Sequence, residues 1–165
     1  MGAVGGGGGL VLDLPVHRTE PRRAVSADAS AAADLWWRAR TASVPFIPAP
    51  VHDEADVHEW FATVVLPHRE TWVIDDGAEL CALLVLEPGW IDQLYVAPGH
   101  TGRGLGGMLV DVAKRTYPAG LDLWAFAANV GALRFYENHG LTAVDRTDGD
   151  NEEGAPDVRY RWQAS

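Results

Sequence analysis

The sequence predicts a mixed α/β fold of the α+β class, with about seven strands in one sheet. Its 165 residues suit one domain of ordinary size. Hydrophobic residues make up 47% of the chain, which is enough to close a core and excludes wholesale disorder. Helical and strand periodicities alternate along the chain, in the order strand, two helices, three strands, helix, strand, helix and two strands.

The first 20 residues are expected to form a flexible segment ahead of the folded domain at residues 21–165. Residues 1–9 are nearly all glycine, which loses the most entropy on ordering and offers no side chain to bury. No basic stretch precedes the apolar part of residues 1–14, as a secretory signal would require. No apolar run approaches the ~20 residues that cross a bilayer. We therefore expect a cytoplasmic protein without a membrane partner.

The first third of the domain predicts a short strand and two helices. A candidate N-cap, Asp28 or Ser30, precedes an apolar stripe of helical period. Three prolines within residues 44–51 require a loop, and Pro67 is expected to close the second helix. The expected bounds are residues 22–26 for the strand, 28 or 30 to about 40 for the first helix, and 53–65 for the second.

The remaining chain predicts six strands and two helices. The turn Asp75-Asp76-Gly77 is a strong hairpin signal. A helical stripe returns at Leu105, and Gly140 is a suitable residue to follow the end of the last helix. The expected strands are residues 70–74, 79–86, 90–96, 121–126, 141–146 and 158–162, and the last helix spans residues 130–139.

The charge balance limits the classes of partner. The chain has 13 basic and 23 acidic residues, a net charge of −10, whereas a nucleic-acid binder should display a basic face. Cationic partners remain open, although excess acid more often serves solubility. Cys81 is the single cysteine, which excludes a disulfide scaffold and a cysteine-based zinc knuckle. The six histidines show no ligand spacing such as H-E-x-x-H, so no metal is expected.

A glycine-rich loop between a strand and a helix is the most informative stretch. Residues 102–107 contain four glycines, directly after the strand at 90–96 and at the start of the next helix. Free backbone N–H groups and the helix dipole favour an anion there, and glycine lets a phosphate approach the backbone. Arg103 adds a positive charge at the rim. The alternative is a turn whose glycines only let strand and helix pack closely.

The same loop matches the dinucleotide pattern G-x-G-x-x-G at Gly102, Gly104 and Gly107. A Rossmann domain places that pattern after the first strand of a repeating βαβ array and an acidic residue at the end of the next strand. Here the loop comes past the middle of the chain, and Asp122 opens its strand. A nucleotide-binding module therefore stays the weaker alternative.

A second motif begins at Asn129 and continues through Ala132, Phe135 and Tyr136 to Gly140. Together the two motifs resemble the V-x-P-x-x-x-G-x-G-x-G and N-x-x-A-x-x-F-Y-x-x-x-G-F/L elements of the GCN5-related N-acetyltransferase (GNAT) superfamily, over residues 90–141. The resemblance implies a mostly antiparallel sheet with helices on both faces. It also implies that the parallel strands at 90–96 and 121–126 splay apart to form the acetyl-CoA cleft.

The resemblance implies acetyl-CoA as the co-substrate, with its diphosphate on the backbone amides of residues 102–107. The pantetheine arm would pair with the strand at 94–96 as an added strand would. Thr101 stands where the superfamily usually has Gln or Arg, and Asn129 matches a coenzyme contact that also suits a helix cap. The implied coenzyme-binding residues are Leu94, Tyr95, Val96, Thr101, Gly102, Arg103, Gly104, Leu105, Gly106, Gly107, Asn129, Ala132 and Tyr136.

Two residues are candidates for proton transfer. Tyr136 matches the general acid that protonates the leaving thiolate, with a core aromatic as the alternative role. Asp92 is the candidate base, because strand alternation would place it on one face with Leu94 and Val96, and burial would raise its pKa. A solvated strand-end carboxylate is the alternative for Asp92, and Glu87 or a water chain competes for the role.

The expected reaction is transfer of an acetyl group to a primary amine by direct attack in a ternary complex. The resemblance implies that the first two helices and the last hairpin frame the acceptor. A cationic amine is favoured by an acidic loop at residues 148–157 and by the aromatic residues of these regions, Trp36, Trp37, Phe46 and Trp60. A solvated loop is the commoner explanation for the acidic residues. A non-catalytic coenzyme A sensor is the alternative function. Homodimers are common among such domains, so a second copy is a candidate partner.

Overall fold

The computed structural model describes residues 19–165, so the glycine-rich segment predicted at residues 1–20 lies outside the described residues except for its last two. Its strands are β1 (Arg22–Arg23), β2 (Glu70–Asp75), β3 (Leu80–Glu87), β4 (Trp90–Val96), β5 (Leu121–Phe126), β6 (Thr142–Thr147) and β7 (Asp157–Trp162). Its helices are α1 (Ala29–Ala42), α2 (Glu54–Trp60), α3 (Leu66–His68), α4 (Leu105–Thr116) and α5 (Val130–Asn138).

The strands form one sheet in the order β1-β2-β3-β4-β5-β7-β6. Every neighbouring pair is antiparallel except β4 and β5, which are parallel. The predicted mixed, mostly antiparallel sheet of seven strands is confirmed. Within residues 19–165, no helix is long and apolar enough to cross a membrane.

Strand β3 is the centre of two cores, one on each face of the sheet. Leu84 and Leu86 pack into a cluster that contains Leu109 of α4. Leu83 and Val85 pack into a second cluster with Phe61, which follows α2. Successive side chains of a strand point to opposite faces, so an unbroken apolar strand needs cover on both. The predicted helices on both faces are confirmed.

Two predicted element ends differ from the structure by more than two residues, and the others differ by two residues or fewer. Strand β1 ends at Arg23, because the chain turns at Val25, whose N–H donates to Asp28 Oδ2 at 2.8 Å. The second helix continues past Pro67, because a π-helical turn at Phe61–Val65 ends α2 and α3 begins anew. Pro67 thus lies in a first helical turn, where its missing N–H leaves no bond unmade.

The parallel strands β4 and β5 are joined at one end only. Their register contains a single pair, Trp90 with Asp122, and the N–H of Asp122 donates to the carbonyl oxygen of Gly89 at 3.0 Å. Toward their carboxyl ends the two strands separate. The splayed pair that the resemblance implied is therefore present.

The joined end is stabilised by ion pairs from β7. Asp122 is 7% exposed and accepts from Nε of Arg159 and from Nε of Arg161, each at 2.8 Å. The Arg159 guanidinium lies 4.8 Å from the centroid of the Trp90 ring. Hydrogen bonds from Arg161 and Arg159 hold the pKa of Asp122 below its usual value. Asp122 is therefore a structural carboxylate.

We expect Asp122→Asn to lower the free energy of unfolding by about 2 kcal/mol near neutral pH, because it leaves charged hydrogen bonds unmade. Since the folded-state pKa is depressed, this contribution is present above the unfolded-state pKa of about 3.9 and is lost as pH falls through the folded value. Denaturant unfolding at pH 7 and pH 3 measures the loss of unfolding free energy and its dependence on pH. Asp111→Asn, at an exposed position of α4, is the matched control. A difference from wild type that persists undiminished at pH 3 would contradict the assignment.

Candidate active site

The separation of β4 and β5 opens a cavity of about 230 Å³ between them. Leu94 and Tyr95 line it from β4, Ala125 from β5, and Ala132 and Tyr136 from α5. The edge of β4 that faces this cavity has no register partner in β5 beyond Trp90. Its backbone groups are therefore open to an extended ligand that pairs as an added strand does.

Strand β4 contains a bulge at Asp92. The pairing with β3 passes from Val85–Gln93 to Leu86–Ile91, so Asp92 has no partner in β3. A bulge resets the alternation of side chains. Ile91 and Leu94, three residues apart, consequently pack into the same core cluster. The predicted alternation that placed Asp92 on one face with Leu94 and Val96 is therefore wrong.

Asp92 instead contacts Arg69, just before β2. Arg69 Nη1 donates to Asp92 Oδ2 at 2.6 Å, and its Nη2 lies 2.9 Å from Glu87 Oε1. Burial raises the pKa of Asp92 above its usual value, while the charge of Arg69 lowers it and that of Glu87 raises it. The Asp92 side chain is 26% exposed and lines the cavity. It is a partly buried, paired carboxylate rather than a solvated strand end.

The loop from β4 to α4 needs glycine for its backbone conformation. Gly99, Gly102 and Gly104 have φ of 90°, 76° and 80°, values that side chains disfavour. A Cβ on any of them would meet no atom within 4 Å, so the space above the loop is open. None of the hydrogen bonds of residues 19–165 outside regular helices and strands is donated by the N–H groups of residues 102–107. These donors are therefore available to an anion.

Gly106 and Gly107 have a different role. A Cβ on Gly106 would lie 3.0 Å from Cζ of Phe135, and one on Gly107 would lie 2.9 Å from Nε2 of His139. The absence of side chains therefore lets α4 approach α5. The glycine-rich loop combines both interpretations of its sequence, open backbone in its first half and close packing in its second.

Tyr136 lies where α5 meets the cavity. The residue is 9% exposed, and its ring packs against those of Phe135 and Tyr160, with centroid distances of 5.3 and 6.0 Å. Burial raises the pKa of Tyr136 above its usual value, and the nearby Tyr95 raises it further. Within the described part of the chain its hydroxyl has no hydrogen-bond partner. The phenol is thus protonated, unpaired and at the wall of the cavity.

Asn129 caps α5 and lines the same cavity. Its Oδ1 accepts from the N–H of Ala132 at 3.2 Å. Its Nδ2 makes no hydrogen bond within residues 19–165 and remains available to a ligand. The cap and the implied coenzyme contact use different atoms, so they are compatible. Val96 packs into the core, and Thr101 is exposed on the loop.

A second cavity, of about 690 Å³, lies on the α1–α2 side and meets the first at Asp92, Gln93 and Tyr95. Of the predicted aromatic walls, Trp36 and Trp60 line it, whereas Trp37 packs against the core and Phe46 is 77% exposed. The other lining residues include the acidic Asp56, Glu59, Glu152 and Glu153.

Sequence reasoning missed Arg40, which lies where the two cavities meet. It is 2% exposed, between the rings of Trp36 and Phe126 at 5.6 and 5.3 Å, and its Nη2 lies 3.4 Å from Glu153. Its position one residue after Ala39, at the edge of the apolar stripe of α1, was the available signal. The contact also shows that the acidic loop turns Glu153 inward.

Comparison with known proteins agrees with this geometry. The profile of the Acetyltransferase (GNAT) family matches residues 30–141. The peptidyl-lysine N-acetyltransferase YiaC of Escherichia coli is 26% identical over 75% of this chain and 84% of its own length. The peptidyl-lysine N-acetyltransferase YjaB of Salmonella typhimurium is 28% identical over 71% of this chain and 79% of its own length.

The fold is shared with the acetyltransferase yncA from Salmonella typhimurium, which was solved with acetyl-CoA. The TM-score is 0.67 at 16% identity, over 90% of this chain and 95% of that one. The open strand edge and the glycine loop supply what a thioester coenzyme with a diphosphate requires. The chain therefore belongs to the acetyltransferase (GNAT) family and is an N-acetyltransferase that uses acetyl-CoA.

Proposed function

We propose that this protein transfers an acetyl group to a primary amine by direct attack within a ternary complex. The observation that carries the proposal is the meeting of two cavities at the bulge of β4, one between the splayed strands and one bounded by α1 and α2. Thioester and amine would reach this junction from opposite sides. No cysteine lines either cavity among the described residues, which favours direct attack over a thiol-bound acetyl intermediate.

The coenzyme would lie across the splayed strands. Its diphosphate binds the free amides of residues 102–107, where the helix dipole of α4 favours negative charge. Its pantetheine arm pairs with the open edge of β4 near Leu94 and Tyr95. A backbone N–H of that edge polarises the thioester carbonyl as the tetrahedral oxyanion develops.

Tyr136 would protonate the departing thiolate. Its raised pKa keeps the phenol protonated at neutral pH, and its hydroxyl has no competing partner within the described residues. A thiolate that receives a proton as the carbon–sulfur bond breaks is the better leaving group. The core-aromatic role also applies, since the Tyr136 ring packs against Phe135.

Asp92 would accept the proton that the ammonium group loses. It lines both cavities, whereas Glu87 lines neither. Because burial raises its pKa, Asp92 is a stronger base than an exposed aspartate. Arg69, bonded to both carboxylates, holds Asp92 in place and stays paired with Glu87 when Asp92 takes the proton.

The acceptor would be a lysine-like cation. The second cavity, on the α1–α2 side, is the outer cavity of the site, because Asp56, Glu59 and Glu152 in its lining are exposed. These carboxylates and the rings of Trp36 and Trp60 attract an ammonium group by charge and by cation–π contact. The names of the relatives YiaC and YjaB, both peptidyl-lysine N-acetyltransferases, support the same class.

We expect Tyr136→Phe to lower kcat by about 100-fold, because the thiolate then leaves without a proton donor. Coenzyme affinity measured by calorimetry should stay within about twofold, since the ring is retained. Tyr117→Phe, which removes a hydroxyl outside both cavities, is the matched control. An unchanged kcat would remove Tyr136 from the proton-transfer role.

We expect Asp92→Asn to lower kcat/KM by about 100-fold at pH 7. In the wild type, the base works only when ionised, so kcat/KM should rise with pH through a pKa above the usual aspartate value. The variant should lack that limb of the pH profile. Glu87→Gln leaves the cavity-lining carboxylate of Asp92 intact, so this variant should keep the rise of kcat/KM with pH. If the rise of kcat/KM with pH follows only the pKa of the acceptor amine and is unchanged in Asp92→Asn, the assignment is contradicted.

We expect thiol release from acetyl-CoA with N-terminally acetylated peptides that carry one lysine. Basic residues beside the lysine should raise kcat/KM over an acidic-flanked peptide by about tenfold at low salt, and the difference should shrink at high salt. A peptide without lysine is the control. Acetyl-CoA binding without thiol release from any amine would instead support the coenzyme sensor, and a reversed flank preference would contradict a cationic acceptor.

A further inference from the structure

His100 connects the coenzyme loop to the hairpin between β2 and β3. Its side chain is 13% exposed and lies between two charged groups. His100 Nε2 is 2.9 Å from Glu79 Oε1, and Arg103 Nη1 is 2.9 Å from His100 Nδ1. The three side chains form one hydrogen-bonded chain from the hairpin to the loop.

The direction of each hydrogen bond follows from the arginine. A guanidinium only donates, so His100 Nδ1 must accept the Arg103 bond as a neutral ring nitrogen. The ring proton is then on Nε2, which donates to Glu79 Oε1. Glu79 thus selects the tautomer that holds Arg103.

Arg103 is anchored through one nitrogen and otherwise free. Its side chain is exposed, and within residues 19–165 its remaining N–H groups have no hydrogen-bond partner. It lies between Gly102 and Gly104, above which the space is open. A guanidinium fixed in this way presents donors to an incoming phosphate without first losing side-chain entropy.

We propose that Glu79 and His100 are positioning residues, which fix Arg103 for contact with a phosphate of the coenzyme. The proposal rests on the coenzyme placement given above. It assigns to His100 a role that needs the neutral ring and to Glu79 the choice of tautomer. Preorganisation then strengthens coenzyme binding without a direct contact from either residue.

The same histidine belongs to a group that resembles a metal site. Asp76, Cys81 and His100 place their ligand atoms within 4.8 Å of one another. A metal on His100 would need the lone pair of Nε2. Because Nδ1 accepts the bond from Arg103, the ring proton is on Nε2, and that lone pair is not available. Burial also raises the pKa of the Cys81 thiol, which disfavours the thiolate that a metal requires. The geometry therefore favours positioning over ligation.

The test measures affinity for coenzyme A by calorimetry in the full chain. Arg103→Gln should weaken binding about tenfold, and His100→Gln should weaken it about fivefold, because no acceptor remains at the Nδ1 position. The double variant should be no weaker than Arg103→Gln, since the histidine acts through the arginine. His100→Asn, whose amide oxygen reaches the Nδ1 position, should restore most of the affinity.

Arg115→Gln, which removes an exposed arginine of α4, controls for net charge. Thermal unfolding monitors the fold of each variant. Additive losses in the double variant, or an equal loss in His100→Asn and His100→Gln, would overturn the proposal. Failure of the wild type to bind coenzyme A would contradict the proposed function instead. Affinity for 3′-dephospho-coenzyme A identifies which phosphate Arg103 contacts. If Arg103→Gln also weakens binding of this ligand, the contact is to the diphosphate. If the loss of affinity disappears, the contact is to the 3′-phosphate.

Discussion

The site depends on one constraint: β4 and β5 are joined at Trp90 and Asp122 and separate beyond them. Each unmade backbone bond costs about 1 kcal/mol where no water or ligand replaces it. The cost is offset because each strand is held on its other side, β4 by β3 and β5 by β7. The ion pairs of Asp122 keep the closed end fixed. The sheet therefore retains an open strand edge that an extended thioester coenzyme can occupy.

A second irregularity, the bulge at Asp92, places the carboxylate that is the proposed base at that opening. In a regular strand, Asp92 would share a face with Leu94, but the extra residue sends it toward Arg69 and the α1–α2 side. Its carboxylate can then line both cavities at once. A strand that was regular throughout would separate the proposed base from one of the two substrates.

The sequence predicted much of this architecture, because local patterns determine it. The bounds of β4 and β5 match the predicted residues 90–96 and 121–126, since both are apolar runs between turn residues. The bulge was not predictable, because residues 90–96 contain no glycine or proline to mark it, and a polar residue at position 92 also fits a regular strand. The Arg69–Asp92 pair joins residues 23 apart, and the Arg40–Glu153 pair joins residues 113 apart. Such contacts follow from tertiary packing, which single-chain periodicity does not contain.

The charges around the junction differ with depth, which matters for an amine that must arrive charged and react neutral. Asp56, Glu59 and Glu152 line the outer cavity, whereas the guanidiniums of Arg40 and Arg69 lie nearer the bulge. Outer carboxylates favour the ammonium form and so favour binding. These guanidiniums are paired with Glu153, Glu87 and Asp92, so they add no net positive charge, and it is burial of the ammonium group that favours loss of its proton to Asp92. In the proposed reaction the exposed carboxylates therefore attract the acceptor at the entrance, and burial promotes its deprotonation at the thioester.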